Sequence, residues 1–414
     1  MEVIYPRCAG LDVHKDTVVA CCRLAADGQI RNEVRTFQTT TRALMALRRW
    51  LQESECTHVV MESTGVYWKP VWHALERDPE AEGGFDCVLA NPAHVRNVPG
   101  RKSDVSDAQW LADLLAHGLI APSFVPERLT QQMRDLTRTH TQITRELGRH
   151  VQRIQRTLED ADIKLTGLLT DLTGTSGMAM LKALVHGERN PEVLAALAVG
   201  RAKQKRAELV EALNGHFREH HAFMVELHLK QVEALQEALR TIEAKLGEAL
   251  KPLHNKESLL CTIHGIGHTS APVILAEVGH DMSRFLGVGN LISWAGFCPK
   301  MNQSGPTRKN TQVKKGAPWL KAMLVQCAWA AINVKDSYLR ARYFRLRARR
   351  GSKKAILAIA ADMLRAAYFI LKRNVPYQDL GADFYDRLDH SKATTSLVKR
   401  LRNLGYEVSL SPAS

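Results

Sequence analysis

Several features that would assign a protein to a class at once are missing from this 414-residue sequence. There is no run of about 18 uncharged apolar residues, the length that a membrane-spanning helix needs, so no membrane partner is expected. The N-terminal segment MEVIYPRCAGLDVHKD lacks the charged and then apolar pattern of a signal peptide, which predicts a cytoplasmic protein. The eight cysteines include no CxxC pair, so we expect buried, reduced thiols and no zinc site.

Acidic residues are nearly absent from one stretch near the C-terminus. Between Lys300 and Arg350 the chain has 13 lysines and arginines but one acid, Asp336, which is +12 of the +14 net charge of the whole protein. Positive charges concentrated in this way repel one another unless anions lie nearby, and nucleic acid is the natural anionic partner. A solvated basic surface is the simpler alternative.

The length allows two or three domains, and the predicted elements favour three. Residues 1–125 alternate strand and helix patterns, residues 126–257 are almost wholly helical, and residues 258–414 combine helices with a polar loop. The predicted elements of the first region are strands 8–13, 17–24 and 30–39, helix 41–53, strand 57–62, helix 66–77, strand 85–90 and helix 104–117. This order resembles the plan of the RNase H-like fold, a mixed sheet flanked by helices.

Four acidic residues fall at a predicted strand end or helix start: Asp12, Glu62, Asp104 and Asp107. In an RNase H-like sheet the first strand is central and the fourth lies beside it, so these acids would meet in one cleft. Converging carboxylates repel one another unless cations lie between them, and oxygen ligands suit Mg²⁺ or Mn²⁺. A site of this type can carry out phosphoryl transfer on nucleic acid. Each acid taken alone is more simply a helix cap or a solvated side chain.

The middle region carries two heptad-like apolar stripes, one from Met133 to Leu158 and one from Val232 to Leu253. They predict two long coiled-coil helices that act as a spacer and an oligomerisation arm, which makes a homodimer or homotetramer the expected assembly. The pattern fits an antiparallel hairpin, pairing between subunits, or ordinary packing inside one monomer, and the sequence does not choose among them.

The last region contains three segments that favour contact with nucleic acid. A Gly-Ile-Gly turn between helices resembles the helix-hairpin-helix motif, whose backbone N–H groups meet a phosphate. A polar loop over 300–318 and a helix over 338–350 that alternates arginines with aromatics follow it. The predicted contact residues are Gly265, Gly267, Lys300, Arg308, Lys309, Lys314, Lys315, Arg345 and Arg347. A tight turn and a solvated helix face are the alternatives.

Long segments at both ends of the chain resemble one family. The strings GLDVHKDTVVAC, MESTGVYWKPVW and NPAHVRNVPGRKSDVSDAQWLADLL are similar to the N-terminal domain of bacterial insertion-sequence transposases with a DEDD tetrad. That domain is similar to the Holliday-junction resolvase RuvC, and these transposases are RNA-guided bridge recombinases. The strings IHGIGHTSAPVILAEVGHDMSRF and LISWAGFCPKMNQSGPTRKNTQVKKGAPWLKAMLVQCAWAA resemble their C-terminal transposase domain.

The resemblance implies more than the residue patterns do. Asp12, Glu62, Asp104 and Asp107 match the tetrad that holds Mg²⁺, and Ser304 matches the nucleophilic serine. The implied reaction forms a covalent phosphoserine–DNA bond and a free hydroxyl that later attacks another strand. A non-coding RNA would pair with target and donor DNA. The tetrad of one subunit and the serine of another would form a composite site.

Two departures from the family pattern stand out. The linker is long, about 130 residues by the boundaries predicted here, with an extra segment near 174–200. His264 replaces the proline that often precedes Gly-Ile-Gly in the family. Neither change falls on the predicted chemistry.

Two other functions fit the same residues. A metal-dependent, resolvase-like endonuclease would cut by water attack, with Ser304 as an ordinary loop residue. A non-catalytic scaffold would bind DNA or RNA through its basic ends without cutting. A covalent protein–DNA adduct distinguishes the first alternative, and loss of activity without loss of binding in Asp12→Asn excludes the second.

Overall fold

A computed structural model describes residues 2–26, 28–63, 65–77, 84–92, 95, 98, 106–299, 302–304, 307–310, 313 and 316–411, with only the backbone of 302–304, 307–310, 392, 393 and 396. The chain divides into two compact units, Met1–Val125 and Pro126–Ser414. The helical arm and the C-terminal helices both belong to the second unit.

The first unit is built on a five-stranded mixed sheet. Its strands are β1 (Arg7–Val13), β2 (Thr17–Ala26), β3 (Gln29–Gln38), β4 (His58–Glu62) and β5 (Asp86–Ala90), in the order β3-β2-β1-β4-β5. The first three strands run antiparallel, whereas β1, β4 and β5 are parallel. The predicted strands and the central place of the first strand are therefore confirmed.

In the described part of this unit, helices α1 (Thr41–Glu53), α2 (Trp68–Leu75) and α3 (Asp107–Ala116) cover the two faces of the sheet. Side chains of α1 and α2 share one core with alternate β1 residues, among them Leu11. Leu111 and Leu115 of α3 share a second core with Cys8 and Val60. The sheet has a core on each face because side chains alternate along each strand.

The arm of the second unit consists of two long helices, α4 (Arg128–Asp160) and α8 (Glu219–Leu250). His140 lies 3.0 Å from Glu243, His150 lies 3.3 Å from His228, and Asp160 lies 3.1 Å from His221. Residue numbers on α8 fall as those on α4 rise, so the helices are antiparallel and pair within one chain. This is the antiparallel hairpin, one of the arrangements that the heptad stripes fit, and the role of the arm in oligomerisation stays a prediction.

Between the long helices, the chain forms a small helical cap on the end of the arm. It contains α5 (Thr175–Val185), α6 (Pro191–Ala196) and α7 (Arg206–Ala212). Their apolar residues share a core with Ile154 and Leu158 of α4 and with Val225 of α8. The segment near 174–200 is therefore part of a packed cap.

The C-terminal part is mostly helical and contains one two-stranded sheet. Its helices are α9 (His254–Cys261), α10 (Ala271–Val278), α11 (Val288–Trp294), α12 (Pro318–Ala331), α13 (Tyr338–Arg350), α14 (Ser352–Arg373), α15 (Phe384–Leu388) and α16 (His390–Asn403). Strands β6 (Asn302–Ser304) and β7 (Thr307–Asn310) pair antiparallel. None of the helices in the described residues is long and apolar enough to cross a membrane.

All eight cysteines are free thiols, and five of them are buried, which confirms the prediction for those five. Burial raises the pKa of Cys8 and Cys21 to about 12. The Cys22 and Cys56 sulfurs lie 3.2 Å apart, and this hydrogen bond lowers the pKa of Cys22 to about 7. These thiols fill the core of the first unit.

Candidate active site

Asp12 is the polar residue near the end of the central strand. Ala9, Leu11 and Val13 of β1 belong to the core beneath α1 and α2. Because strand side chains alternate, Asp12 lies on the opposite face, with Cys8 and the helix α3. Its carboxylate is half-buried, with 28% of the side chain exposed, so it is reachable from solvent at the sheet end.

Glu62 comes beside Asp12 through the register of two parallel strands. Leu11 of β1 pairs with Met61 of β4, so the next residue of each strand is an acid. Neighbouring strands lie about 4.8 Å apart, and paired residues point to the same face. Val60, two residues before Glu62, packs in the core beneath α3, which places Glu62 on that face as well.

Helix α3 brings its first residue to the same end of the sheet. The Tyr5 N–H donates to Ala116 O at 3.1 Å, while the Cys8 thiol donates to Ala112 O at 3.6 Å. Residues closer to Asp12 along the chain therefore contact residues closer to the start of α3. Asp107, the first residue of α3, is exposed there. A carboxylate at the start of a helix interacts favourably with the positive end of the helix dipole, so Asp107 can also have the structural role of stabilising α3.

A glycine allows this close approach of α3 to the sheet. A Cβ atom at Gly10 would lie 2.1 Å from Ala108 O and 2.5 Å from Ala112 N. Real side chains do not tolerate contacts of this kind with backbone atoms. Glycine at position 10 is therefore required for α3 to lie directly over the strand that carries Asp12.

A buried ion pair also holds α3 on the sheet, and the sequence analysis did not identify it. Arg23 of β2 is 1% exposed, and its Nε donates to Asp113 Oδ1 of α3 at 2.8 Å. The pairing offsets part of the cost of burying a charge at this depth, so losing Asp113 would leave an uncompensated charge under α3. The two residues are 90 positions apart, so no local pattern marks them as partners.

Histidine 14 is a second residue near the site that the sequence analysis missed. Its Nε2 lies 3.1 Å from Asp12 Oδ2. The Asp-Val-His spacing places the two side chains on one face of an extended chain, and this spacing was the available signal. The imidazole orients the Asp12 carboxylate at the mouth of the site.

Two of the predicted acids lie side by side by strand register, and their carboxylate oxygens are of the type that a hard divalent cation takes. Asp12 and Glu62 offer carboxylate oxygens side by side, and Asp107 begins the helix at the same sheet end. Asp104, the fourth predicted acid, lies outside the described residues. Within the described part, no group of three or more histidines, cysteines and carboxylates is placed to hold a metal ion. The complete tetrad therefore stays a prediction.

Ser304 ends the first strand of the β6–β7 hairpin. It pairs with Thr307, and two residues separate the strands. The sequence analysis predicted a polar loop over 300–318, and this prediction is wrong for 302–304 and 307–310. Backbone pairing forms these strands from uniformly polar residues, so no apolar alternation marks them in the sequence. Ser304 is the last residue of β6, and its pairing with Thr307 is the last pair between the two strands.

The glycines predicted to contact phosphate make close contacts within the protein. A Cβ at Gly265 would lie 2.3 Å from Cys327 O of α12, so this turn packs tightly against that helix. Gly267 donates its N–H to Ser270 Oγ at 2.9 Å. Both contacts give the turn between α9 and α10 a structural role, and the phosphate contact stays a prediction.

The structure describes the side chains of two of the predicted basic contact residues. Arg345 and Arg347 are exposed on α13, where their guanidinium groups lie 4.6 Å from the Tyr385 ring and 5.6 Å from the Phe344 ring. Arg308 and Lys309 belong to β7, of which only the backbone is described. Three more lie outside the described residues: Lys300, Lys314 and Lys315.

Two protein-family models match the chain, one in its N-terminal part and one in its C-terminal part. Residues 9–162 match a DEDD transposase model described as "Transposase", and residues 257–344 match the model of the transposase IS116/IS110/IS902 family. The two matches cover more than half of the chain. The protein belongs to the IS110/IS116/IS902 transposase family. The matched segments contain all four acids of the predicted tetrad and Ser304.

Three relatives illustrate this transposase family. The chain is 26% identical to "Putative transposase y4qE" of Sinorhizobium fredii over 59% of its length and 53% of that protein. It is 23% identical to the transposase for insertion sequence element IS1533 of Leptospira borgpetersenii, over 77% and 84% of the two chains. It is 24% identical to the pilin gene-inverting protein of Moraxella bovis, over 89% and 96%. The chain thus spans about half of the first relative and most of the other two.

Proposed function

We propose that this family member is a DNA transposase that exchanges strands through a covalent phosphoserine–DNA intermediate. The observation that carries the proposal is the register of β1 and β4, which sets Asp12 beside Glu62 at the sheet end where α3 begins. The strand order β3-β2-β1-β4-β5 supports an RNase H-like, RuvC-like catalytic unit. The transposase and pilin gene-inverting relatives support DNA as the substrate.

In the proposed reaction, Ser304 Oγ attacks the scissile phosphorus of a DNA strand. A bond from phosphorus to serine forms as the bond to the deoxyribose oxygen breaks, the serine loses its proton, and the leaving oxygen becomes a free hydroxyl. That hydroxyl then attacks another phosphoserine, which restores Ser304 and joins the strands. One phosphorus–oxygen bond forms for each that breaks, so no ATP is needed.

The acids have a separate role in this proposal. Asp12, Glu62, Asp104 and Asp107 would hold Mg²⁺ or Mn²⁺ and fix it at the sheet end. A cation bound there polarises the phosphate and stabilises the leaving oxygen. The acids of one subunit and Ser304 of another act on one phosphate, so the active form is a homodimer or homotetramer.

A non-coding guide RNA of the element completes the proposal. Its loops would pair with element-end and target DNA, so that base pairing supplies the sequence choice. The basic segment between Lys300 and Arg350 supplies phosphate contacts for DNA or RNA.

The proposal is tested by strand joining on labelled DNA. The full chain, with the RNA that co-purifies with it, is incubated with an element end and a target duplex, with Mg²⁺ or with a chelator. We expect joined strands with Mg²⁺ and no joined strands with the chelator, without ATP in either case. Equal joining in the chelator would contradict the role of the acids, and cleavage without joining would indicate a nuclease.

A further inference from the structure

The arm carries a row of four arginines that no predicted site includes. Arg145, Arg149, Arg153 and Arg156 are all exposed on α4 and are called the arm arginines here. At 3.6 residues per turn they fall within about 80° of one another around the helix axis and span about 16 Å along it. The apolar stripe that packs on α8, for example Ile154, lies on the opposite side of the helix.

The arm arginines have no acidic partners in the described part of the chain. No ion pair or side-chain hydrogen bond is formed by any of the four, although Arg145 lies 5.4 Å above the Trp319 ring. Glu146 is the one acid in the α4 sequence between residues 136 and 158. Two exposed glutamines, Gln142 and Gln152, lie on the same face and add neutral hydrogen-bond donors.

The paired helix has the opposite character, so the charges of the arm are segregated. Helix α8 carries six glutamates, and several of them already have basic partners. Glu226 pairs with Lys230 at 2.8 Å, and Glu233 pairs with Lys182 at 2.6 Å. These α8 glutamates are therefore paired with other basic residues and do not neutralise the arm arginines of α4.

Helix α4 contains arginines but no lysine, and an exposed row of arginines suits phosphate groups in particular. The planar guanidinium binds phosphate oxygens through two parallel N–H bonds. Helix α4 contains no phenylalanine, tyrosine or tryptophan, so it offers no ring on which the bases of a single strand could stack. The row therefore favours the backbone of a duplex.

We propose that the arm arginines bind the phosphate backbone of double-stranded DNA along the face of α4. This inference rests on the proposed function for the choice of DNA as the partner. It gives the arm a nucleic-acid contact in addition to its predicted role as a spacer. The proposed contact surface would begin beside α12, where Arg145 lies over the Trp319 ring, and extend outward along the arm.

The test measures how DNA binding by the full chain depends on salt, in chelator so that cleavage plays no part. The arm variant carries Arg149→Gln, Arg153→Gln and Arg156→Gln. The control carries Lys182→Gln, Lys230→Gln and Arg240→Gln, which remove the same charge from basic residues of the cap and of α8 that are paired with glutamates. Each phosphate contact contributes about 0.9 to the slope of log K against log salt for B-DNA.

We expect the arm variant to lower the magnitude of this slope by about 2 to 3 and the control to leave it unchanged. Equal changes in both variants would overturn the proposal, because general charge would then account for binding. An unchanged slope in the arm variant would also overturn it. A loss seen with an RNA duplex of the same sequence but not with DNA would assign the surface to RNA instead. A wild-type chain that binds DNA but joins no strands would refute the proposed function and leave this inference standing.

Discussion

Asp12→Asn is expected to abolish strand cleavage while leaving DNA binding intact. The amide has the shape of the carboxylate but carries no charge, so the strand and the His14 contact can persist while cation binding is lost. Metal ions supply several kcal/mol of charge stabilisation in such reactions, and each 1.4 kcal/mol is a factor of ten, so we expect a loss of about a thousandfold or more.

The matched control is Asp16→Asn, four residues further along and exposed in the turn between β1 and β2. It removes the same charge near the same strand but away from the acids of the site. We expect wild-type cleavage from this control. If Asp12→Asn cleaves normally, the metal role of the sheet end is wrong. If it loses binding as much as cleavage, Asp12 acts as a structural or DNA-contacting residue.

Glu277→Ala is expected to destabilise the second unit by at most about 3 to 5 kcal/mol, the cost of removing one partner from a fully buried ion pair, because Arg138 is 36% exposed. Glu277 of α10 is 1% exposed and accepts two hydrogen bonds from Arg138 of α4, at 2.8 and 2.9 Å. Arg134 donates to the backbone oxygens of Ala276 and Glu277. Burial lowers the pKa of Arg134 to about 10, and the Glu277 charge opposes that shift.

Urea unfolding of the full chain measures this effect as a shift of the midpoint for the second unit. Glu248→Ala is the control, since Glu248 is 67% exposed and pairs with Lys251 at 3.4 Å on the surface. Surface pairs contribute about 0 to 1 kcal/mol, so this variant should stay close to wild type. A Glu277→Ala shift no larger than that of the control would show that α4 is held to α10 by apolar packing alone.

The sheet and the position of its acids could be predicted because their signals are local. Strands 1, 2, 4 and 5 have apolar runs, strand 3 alternates apolar and polar residues, and Asp12 and Glu62 come at or near the ends of two of the apolar runs. The register that pairs Leu11 with Met61 was not visible in the sequence, but the resemblance of the element order to the RNase H-like plan predicted which strands are neighbours. Pattern and topology were therefore sufficient to bring two of the four acids together.

The remaining features depend on contacts between distant residues. The pairs Arg23–Asp113 and Arg138–Glu277 join positions about 90 and 140 residues apart, and nothing local marks them. The heptad stripes fit pairing within a chain as well as between chains, and the contacts that show the pairing within this chain join residues about 60 to 100 positions apart. The hairpin that carries Ser304 is polar throughout, so its strands have no hydrophobic period.

The central claim is that Ser304 becomes covalently bound to DNA, and a trapping experiment tests it most directly. The protein, its co-purified RNA and labelled element-end DNA are incubated with Mg²⁺ and run on a denaturing gel beside Ser304→Ala and Asp104→Ala. The account predicts a DNA-labelled protein band that is lost in both variants. Cleavage that survives Ser304→Ala and leaves no labelled protein would contradict it and assign the chain to the metal-dependent nucleases.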